Sequence, residues 1–168
     1  MNRLPQLFPY FLQKVVFLLF FLGLNACTSI LPECGACSSP PLNQLNGTWE
    51  LARWNQAPNS YGIIRLRTIP HGEETTPIFM DFDMESKRLS GFSGCNKFAA
   101  DINEGSKGIT LETIVRTKQT CASAQVTQFE TDFIYELTDY RSLKVEKNQL
   151  LLVGRNGEVL LFEKLFDK

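Results

Sequence analysis

The chain of 168 residues contains a single histidine, His71. That scarcity leaves little room for histidine-rich metal sites, and any His-based catalysis would have to run through this one side chain. A surplus of charge of either sign is also missing: 17 Lys and Arg stand against 18 Asp and Glu, a formal net of −1. No basic stripe stands out, so nucleic acid is not an expected partner. There are no internal repeats, and the length suits one domain. Long apolar runs are confined to one place, near the N-terminus.

That run is VVFLLFFLGL, Val15 to Leu24, preceded by Arg3 and Lys14 and by no acid. It is short for a membrane-spanning helix and fits the apolar region of a secretory signal. LNAC follows, Leu24 to Cys27. It resembles the bacterial lipobox, with Leu24 at −3, Ala26 at −1 and Cys27 as the lipidated first residue of the mature chain; Asn25 is a small departure. The expectation is a signal peptide over 1–26, lipid on Cys27, and a membrane reached through that lipid. Several acyl chains on one cysteine, at about 0.8 kcal/mol per buried CH₂, would hold it firmly. Thr28 stands where an Asp would retain such a protein in the inner membrane, so the periplasmic face of the outer membrane is the expected location. Removing 1–26 takes two of the 17 basic residues and no acid, leaving a net of −3.

Residues 27–44 are rich in Pro, Ser and Cys and read as a lipidated tether. The folded domain is expected over 45–168, mostly as strands. In GTWELARW, strict alternation places Trp49, Leu51 and Arg53 on one face and Thr48, Glu50, Ala52 and Trp54 on the other. Period-2 patterns recur in IIRLR (Ile64 and Leu66 against Arg65 and Arg67) and in IFMDFDM (Met80, Phe82 and Met84). RLSGF begins a strand that CNKFAADI continues beyond a kink at Gly91 and Gly94. GITLETI is another strand, and QLLLVG and EVLLFEKL form a hairpin about Asn156-Gly157. Val126, Phe129, Phe133, Leu137 and Tyr140 fall at spacings of three and four and define one amphipathic helix, capped by Ser123, with Thr127 and Glu130 as a capping box. Asp132, Glu136 and Asp139 mark its polar face. Antiparallel strands with one amphipathic helix before the final hairpin make an α+β fold.

Cysteine is the remaining chemistry. With Cys27 lipidated, Cys34, Cys37, Cys95 and Cys121 remain, an even number in an exported chain. Three connectivities are open. Pairing within each region is the simplest, giving Cys95–Cys121 in the domain and a second possible disulfide, Cys34–Cys37, in the tether. A bridge closing about 26 residues contributes roughly 3–4 kcal/mol in the chain-entropy model. A metal site on these cysteines and a Cys95–His71 pair are weighed against it; the expectation is no metal, no cofactor and no catalytic residue. Asp81 with Asp83, and Glu73 with Glu74, read as solvated faces. GFSGCNKF is no phosphate loop, because strand-like sequence follows it rather than a helix.

LNGTWELARW, RLSGFSGCNKFAADI, ITLETIVRTKQTC, FETDFIYELTDY and NQLLLVGRNGEVLLFEK occur in that order. Together they resemble the META domain of HslJ-type heat-shock and envelope proteins, over roughly residues 45–166. Gly94-Cys95-Asn96 with Phe98, Thr117 to Cys121, and Glu130 ahead of Leu137 carry the likeness. Gln119-Thr120, Ala100 and an unusually long segment from Pro58 to Pro77 depart from it. The resemblance implies an antiparallel sheet curved into an open β-barrel with one helix packed on it, whose interior should hold Trp49, Leu51, Phe82 and the helix stripe. It also implies a non-enzymatic role in the cell envelope, in stress or antibiotic tolerance, through an apolar small ligand or an envelope protein. Two alternatives are a lysozyme-type enzyme inhibitor and a Cys-dependent enzyme.

Overall fold

A computed structural model describes residue 40 and residues 42–70, 76–105 and 108–166. A single helical turn, α1 (Leu42–Leu45), leads into β1 (Gly47–Asn55). There follow β2 (Phe79–Asp83), β3 (Arg88–Phe92), β4 (Lys97–Gly105), β5 (Gly108–Arg116), the helix α2 (Ala124–Thr138), β6 (Tyr140–Glu146), β7 (Gln149–Gly154) and β8 (Val159–Lys164). All eight strands form one antiparallel sheet in the order β5-β4-β3-β2-β1-β8-β7-β6. The sheet curls into a half-barrel with α2 inserted before the last three strands. No helix among the described residues is long and apolar enough to cross a membrane.

Alternation holds along β2, where Met80 and Phe82 are buried while Phe79 and Asp81 are half-buried and Asp83 is exposed. It fails along β1. The pairing of β1 with β8 shifts between Leu51 and Arg53, a bulge that carries one residue too many. The extra residue resets the side-chain period, so Trp54 returns to the inner face with Trp49 and Leu51, while Ala52 and Arg53 point outward. Strict alternation places Trp54 opposite Trp49; the bulge corrects that.

Three further expectations are corrected. IIRLR forms no strand: Leu66 makes one isolated bridge to Asn55, and Ile63, Ile64 and Leu66 are all exposed. RLSGF and CNKFAADI are not one kinked strand but two antiparallel strands, β3 and β4, joined by a tight turn. The helix ends at Thr138, and Tyr140 opens β6, so α2 precedes a three-stranded meander rather than a lone hairpin. Lys147, with φ 56°, makes the β6–β7 turn.

The interior is filled by side chains. Phe129, Phe133 and Leu137 of α2 are buried against the concave side of the sheet. Trp54 meets Phe129 edge-on with ring centres 5.1 Å apart, and Phe133 meets Phe98 at 5.9 Å and Phe162 at 6.3 Å. Burying each such side chain contributes about 1.5–3 kcal/mol, which explains why the apolar stripe rather than intrinsic helix preference fixes α2 in place. Trp49 donates its indole N–H to the Leu45 carbonyl at 2.7 Å, tying α1 to the first strand.

A half-barrel leaves two edge strands, β5 and β6. Tyr140, the first residue of β6, donates its phenol to the carbonyl of Ile109 at the start of β5. One side chain thus links the two sheet edges. Burial pushes the Tyr140 pKa up to about 12, because the phenolate would lose its hydration.

Candidate functional site

The residues that carry the sequence motifs converge at the β3–β4 turn and the start of α2. In the turn, Ser93 donates both its backbone N–H (3.0 Å) and its hydroxyl (2.8 Å) to the Asn96 carbonyl. Gly94 has φ +99°, a conformation that favours glycine. Gly91 answers a different demand: a Cβ there would lie 2.3 Å from the Phe79 carbonyl oxygen and 2.6 Å from the Phe98 ring, which lies across it.

The turn presents Cys95 to Cys121, and the two form a disulfide with Cα atoms 5.5 Å apart. Beside it sits a buried polar cluster. Asn96 donates its side-chain amide to both oxygens of Glu130, at 3.0 and 2.9 Å. Its own side-chain carbonyl oxygen accepts from the Thr117 hydroxyl at 2.9 Å and from the Gln119 backbone N–H at 2.7 Å. Arg116 adds a charge-assisted bond to Glu130 at 3.1 Å. Glu130 is only 2% exposed, so the amide and guanidinium replace the water it has lost. Thr117 in turn accepts from the Lys97 backbone N–H at 3.2 Å, joining β4 to the segment that runs into α2.

The spacing places Glu130 in a capping box; the structure buries it in this cluster instead. Ser123 does cap α2, accepting from the Val126 N–H at 3.3 Å, and Thr127 donates back to the Ser123 carbonyl. The cluster lines one wall of a 420 Å³ surface pocket bounded also by Lys118, Thr120 and Thr131. The sulfurs of Cys95 and Cys121 and a Glu130 oxygen lie within 4.8 Å of one another. That is a possible metal donor set, but the thiolate is the ligand form, and here the sulfurs are bonded to each other.

A second cluster lies at the far end of α2. Glu136, assigned to the polar face by its spacing, is only 3% exposed. It accepts from the Asn156 amide at 2.7 Å. Gly154 makes room for it, since a Cβ there would lie 2.0 Å from the carboxylate. Burial raises the Glu136 pKa, Asn156 opposes that, and Glu158, Asp139 and Asp132 add to the rise. Asp139 and Asp132 are themselves paired with Arg155 and Arg67. Nothing in the helical spacing distinguishes Glu136 from its exposed neighbours; Gly154 opposite it is the only signal.

Of the paired acids, Asp81 accepts from the Thr48 hydroxyl at 2.9 Å and Asp83 accepts from the Glu85 and Ser86 N–H groups of the β2–β3 turn. His71, Glu73, Glu74, Cys27, Cys34 and Cys37 lie outside the described residues.

A family model described as META domain matches residues 41–165. Two solved structures share the fold. One, an NMR structure of a protein from Burkholderia xenovorans, is 24% identical, with 81% of this chain and 97% of that chain covered and a TM-score of 0.61. The other, also determined by NMR, is 19% identical over 74% of this chain and 95% of that one, with a TM-score of 0.52. No curated protein matches the chain.

Proposed function

The chain belongs to the META domain family, and on that premise we propose that it is a lipid-anchored, non-enzymatic binding module of the cell envelope. Cys27 carries the lipid, residues 28–44 tether the domain, and the domain holds a ligand or protein partner in stress or antibiotic tolerance at the periplasmic face of the outer membrane. The observation that carries the non-enzymatic part is the use of the motif residues. Both domain cysteines are spent on one disulfide, Asn96 uses both donors and both acceptor sites of its side-chain amide, and buried Glu130 accepts from Asn96 and Arg116. Among the described residues no buried side-chain nitrogen or oxygen lacks a partner. A general base or nucleophile needs a lone pair or proton free for substrate; here these groups brace the β3–β4 turn against α2.

The filled interior supports a ligand held at the surface rather than inside the half-barrel. Trp49, Trp54, Phe82, Phe133 and Phe162 occupy the space a buried apolar ligand would need. Globomycin, which blocks lipoprotein signal cleavage, tests the anchor. Treated cells should accumulate a larger precursor, and Cys27→Ala should do the same; an unchanged size and unchanged membrane fractionation in both would refute it.

A further inference from the structure

The long segment that follows β1 carries large apolar side chains out into water. Tyr61 is 86% exposed, Ile63 54%, Ile64 57% and Leu66 67%. Four such residues lie within six positions, and large apolar side chains exposed together in this way mark contact sites.

The loop is built to hold them there. At its tip the Asn59 side-chain oxygen accepts from the N–H groups of Tyr61 (3.0 Å) and Ile63 (2.9 Å). Asn59 also donates its N–H to the Ile63 carbonyl at 3.1 Å, and its own carbonyl accepts from the Gly62 N–H at 2.8 Å. Gly62 has φ +75°, which the turn requires. At its base, Gln56 donates to the Arg65 carbonyl at 2.8 Å and Arg67 to the Trp54 carbonyl at 2.9 Å. The Arg67 guanidinium lies over the Trp54 ring at 4.5 Å and pairs with Asp132 of α2. The alternation expected of IIRLR is therefore lost: Arg67 docks on the domain, while Ile63, Ile64, Arg65 and Leu66 all face solvent.

We propose that this loop is a membrane-contact element that seats Tyr61, Ile63, Ile64 and Leu66 in the interface of an anionic phospholipid bilayer. The exposed charge on it favours that occupant. Between Glu50 and Glu73 the sequence has no acidic residue, and Arg53 and Arg65 are both exposed, while the acids at the loop base, Asp132 and Glu158, are held by Arg67 and Trp54. An aromatic hydroxyl, branched aliphatics and arginine are the combination that favours the headgroup–acyl boundary, and basic groups near an anionic surface add to the attraction. The inference rests on the anchor reading for bringing a bilayer within reach. The 15 links from Cys27 to Leu42 can span up to about 54 Å, long enough for the domain to bring this loop to the surface.

The test uses the lipidated full chain with Tyr61→Trp, reconstituted in phosphatidylcholine–phosphatidylglycerol vesicles whose acyl chains are brominated. Trp49 and Trp54 are fully buried and give a constant background. Emission from the introduced indole is expected to be quenched by the brominated chains and shielded from aqueous iodide. A control carrying Gln128→Trp instead, on the exposed face of α2, should show neither effect. Adding Ile64→Ser and Leu66→Ser to the Tyr61→Trp variant should abolish most of the quenching without moving the thermal unfolding midpoint, because neither side chain is packed. Iodide reaching the introduced indole as freely as it reaches free tryptophan would overturn the proposal. So would shielding without bromine quenching, which means a protein, or a second copy of this chain, covers the loop. A chain found to carry no lipid sinks the anchor reading alone; the same vesicles added from outside then read the loop by itself.

Discussion

The side-chain amide of Asn96 donates to both carboxylate oxygens of Glu130, across 34 residues of sequence, at 3.0 and 2.9 Å. This contact fixes the β3–β4 turn to α2, and the disulfide one residue earlier fixes the same turn to the segment just before α2. Asn96→Asp keeps the shape and removes the donor, setting a second carboxylate against a buried one. Leaving a buried charge so opposed costs about 3–5 kcal/mol. Urea unfolding at pH 7 should show a loss of that size for Asn96→Asp. A loss within about 0.5 kcal/mol, the size of an ordinary surface change, would mean the cluster is not structural.

The staple itself should matter on a similar scale. Cys95→Ala with Cys121→Ala opens a 26-residue loop and should lower stability by roughly 3 kcal/mol, because the unfolded chain regains the entropy the bridge removes. Guanidinium unfolding of the double variant, compared with the oxidised parent, reads this directly.

Tyr140 gives the fold an alkaline limit. Its folded pKa, about 12, lies above the ordinary 10.0, so the folded state holds the proton more tightly than the unfolded chain. Its stabilising contribution is complete below pH 10 and is lost as pH rises through about 12. Tyr140→Phe should cost about 1 kcal/mol at pH 8 for the lost hydrogen bond to Ile109. It should also flatten the fall in unfolding midpoint between pH 10 and 12.

Glu136 acts with the opposite consequence at neutral pH. Burial raises its carboxyl pKa above 4.5, so its favourable contribution is present below pH 4.5 and is lost as pH rises through the folded value. At pH 7 the buried charge opposes folding. Glu136→Gln keeps an oxygen for the Asn156 donor and removes that charge, so the variant should unfold at a higher temperature than the parent at pH 7. Calorimetry at pH 4 and pH 7 checks the sign, since the advantage should shrink at the lower pH.

Much of the fold was legible because burial repeats regularly. Met80 and Phe82, the Val126–Phe129–Phe133–Leu137 stripe and the Asn156-Gly157 hairpin all follow from period and turn chemistry. The failures are places where a local irregularity overrides the period. One extra residue in β1 turned Trp54 inward. Arg67 docked on Trp54 and left Ile64 and Leu66 outside. Tyr140 matched the helix spacing but begins a strand, because α2 ends before it. Of the site, the cysteine pair could be read from the even number of cysteines left in a chain expected to be exported. The partnership of Asn96, Arg116 and Glu130 could not, since nothing in spacing alone tells a buried acid from an exposed one on the same helix.

The intact mass of the protein extracted from membranes without reduction tests the functional reading most directly. The expected species starts at Cys27, carries the added mass of acyl chains on that residue, and is at least two hydrogens lighter, for Cys95–Cys121. A species that retains residues 1–26, or one that starts elsewhere with no acyl mass, would contradict a lipid-anchored module of the envelope.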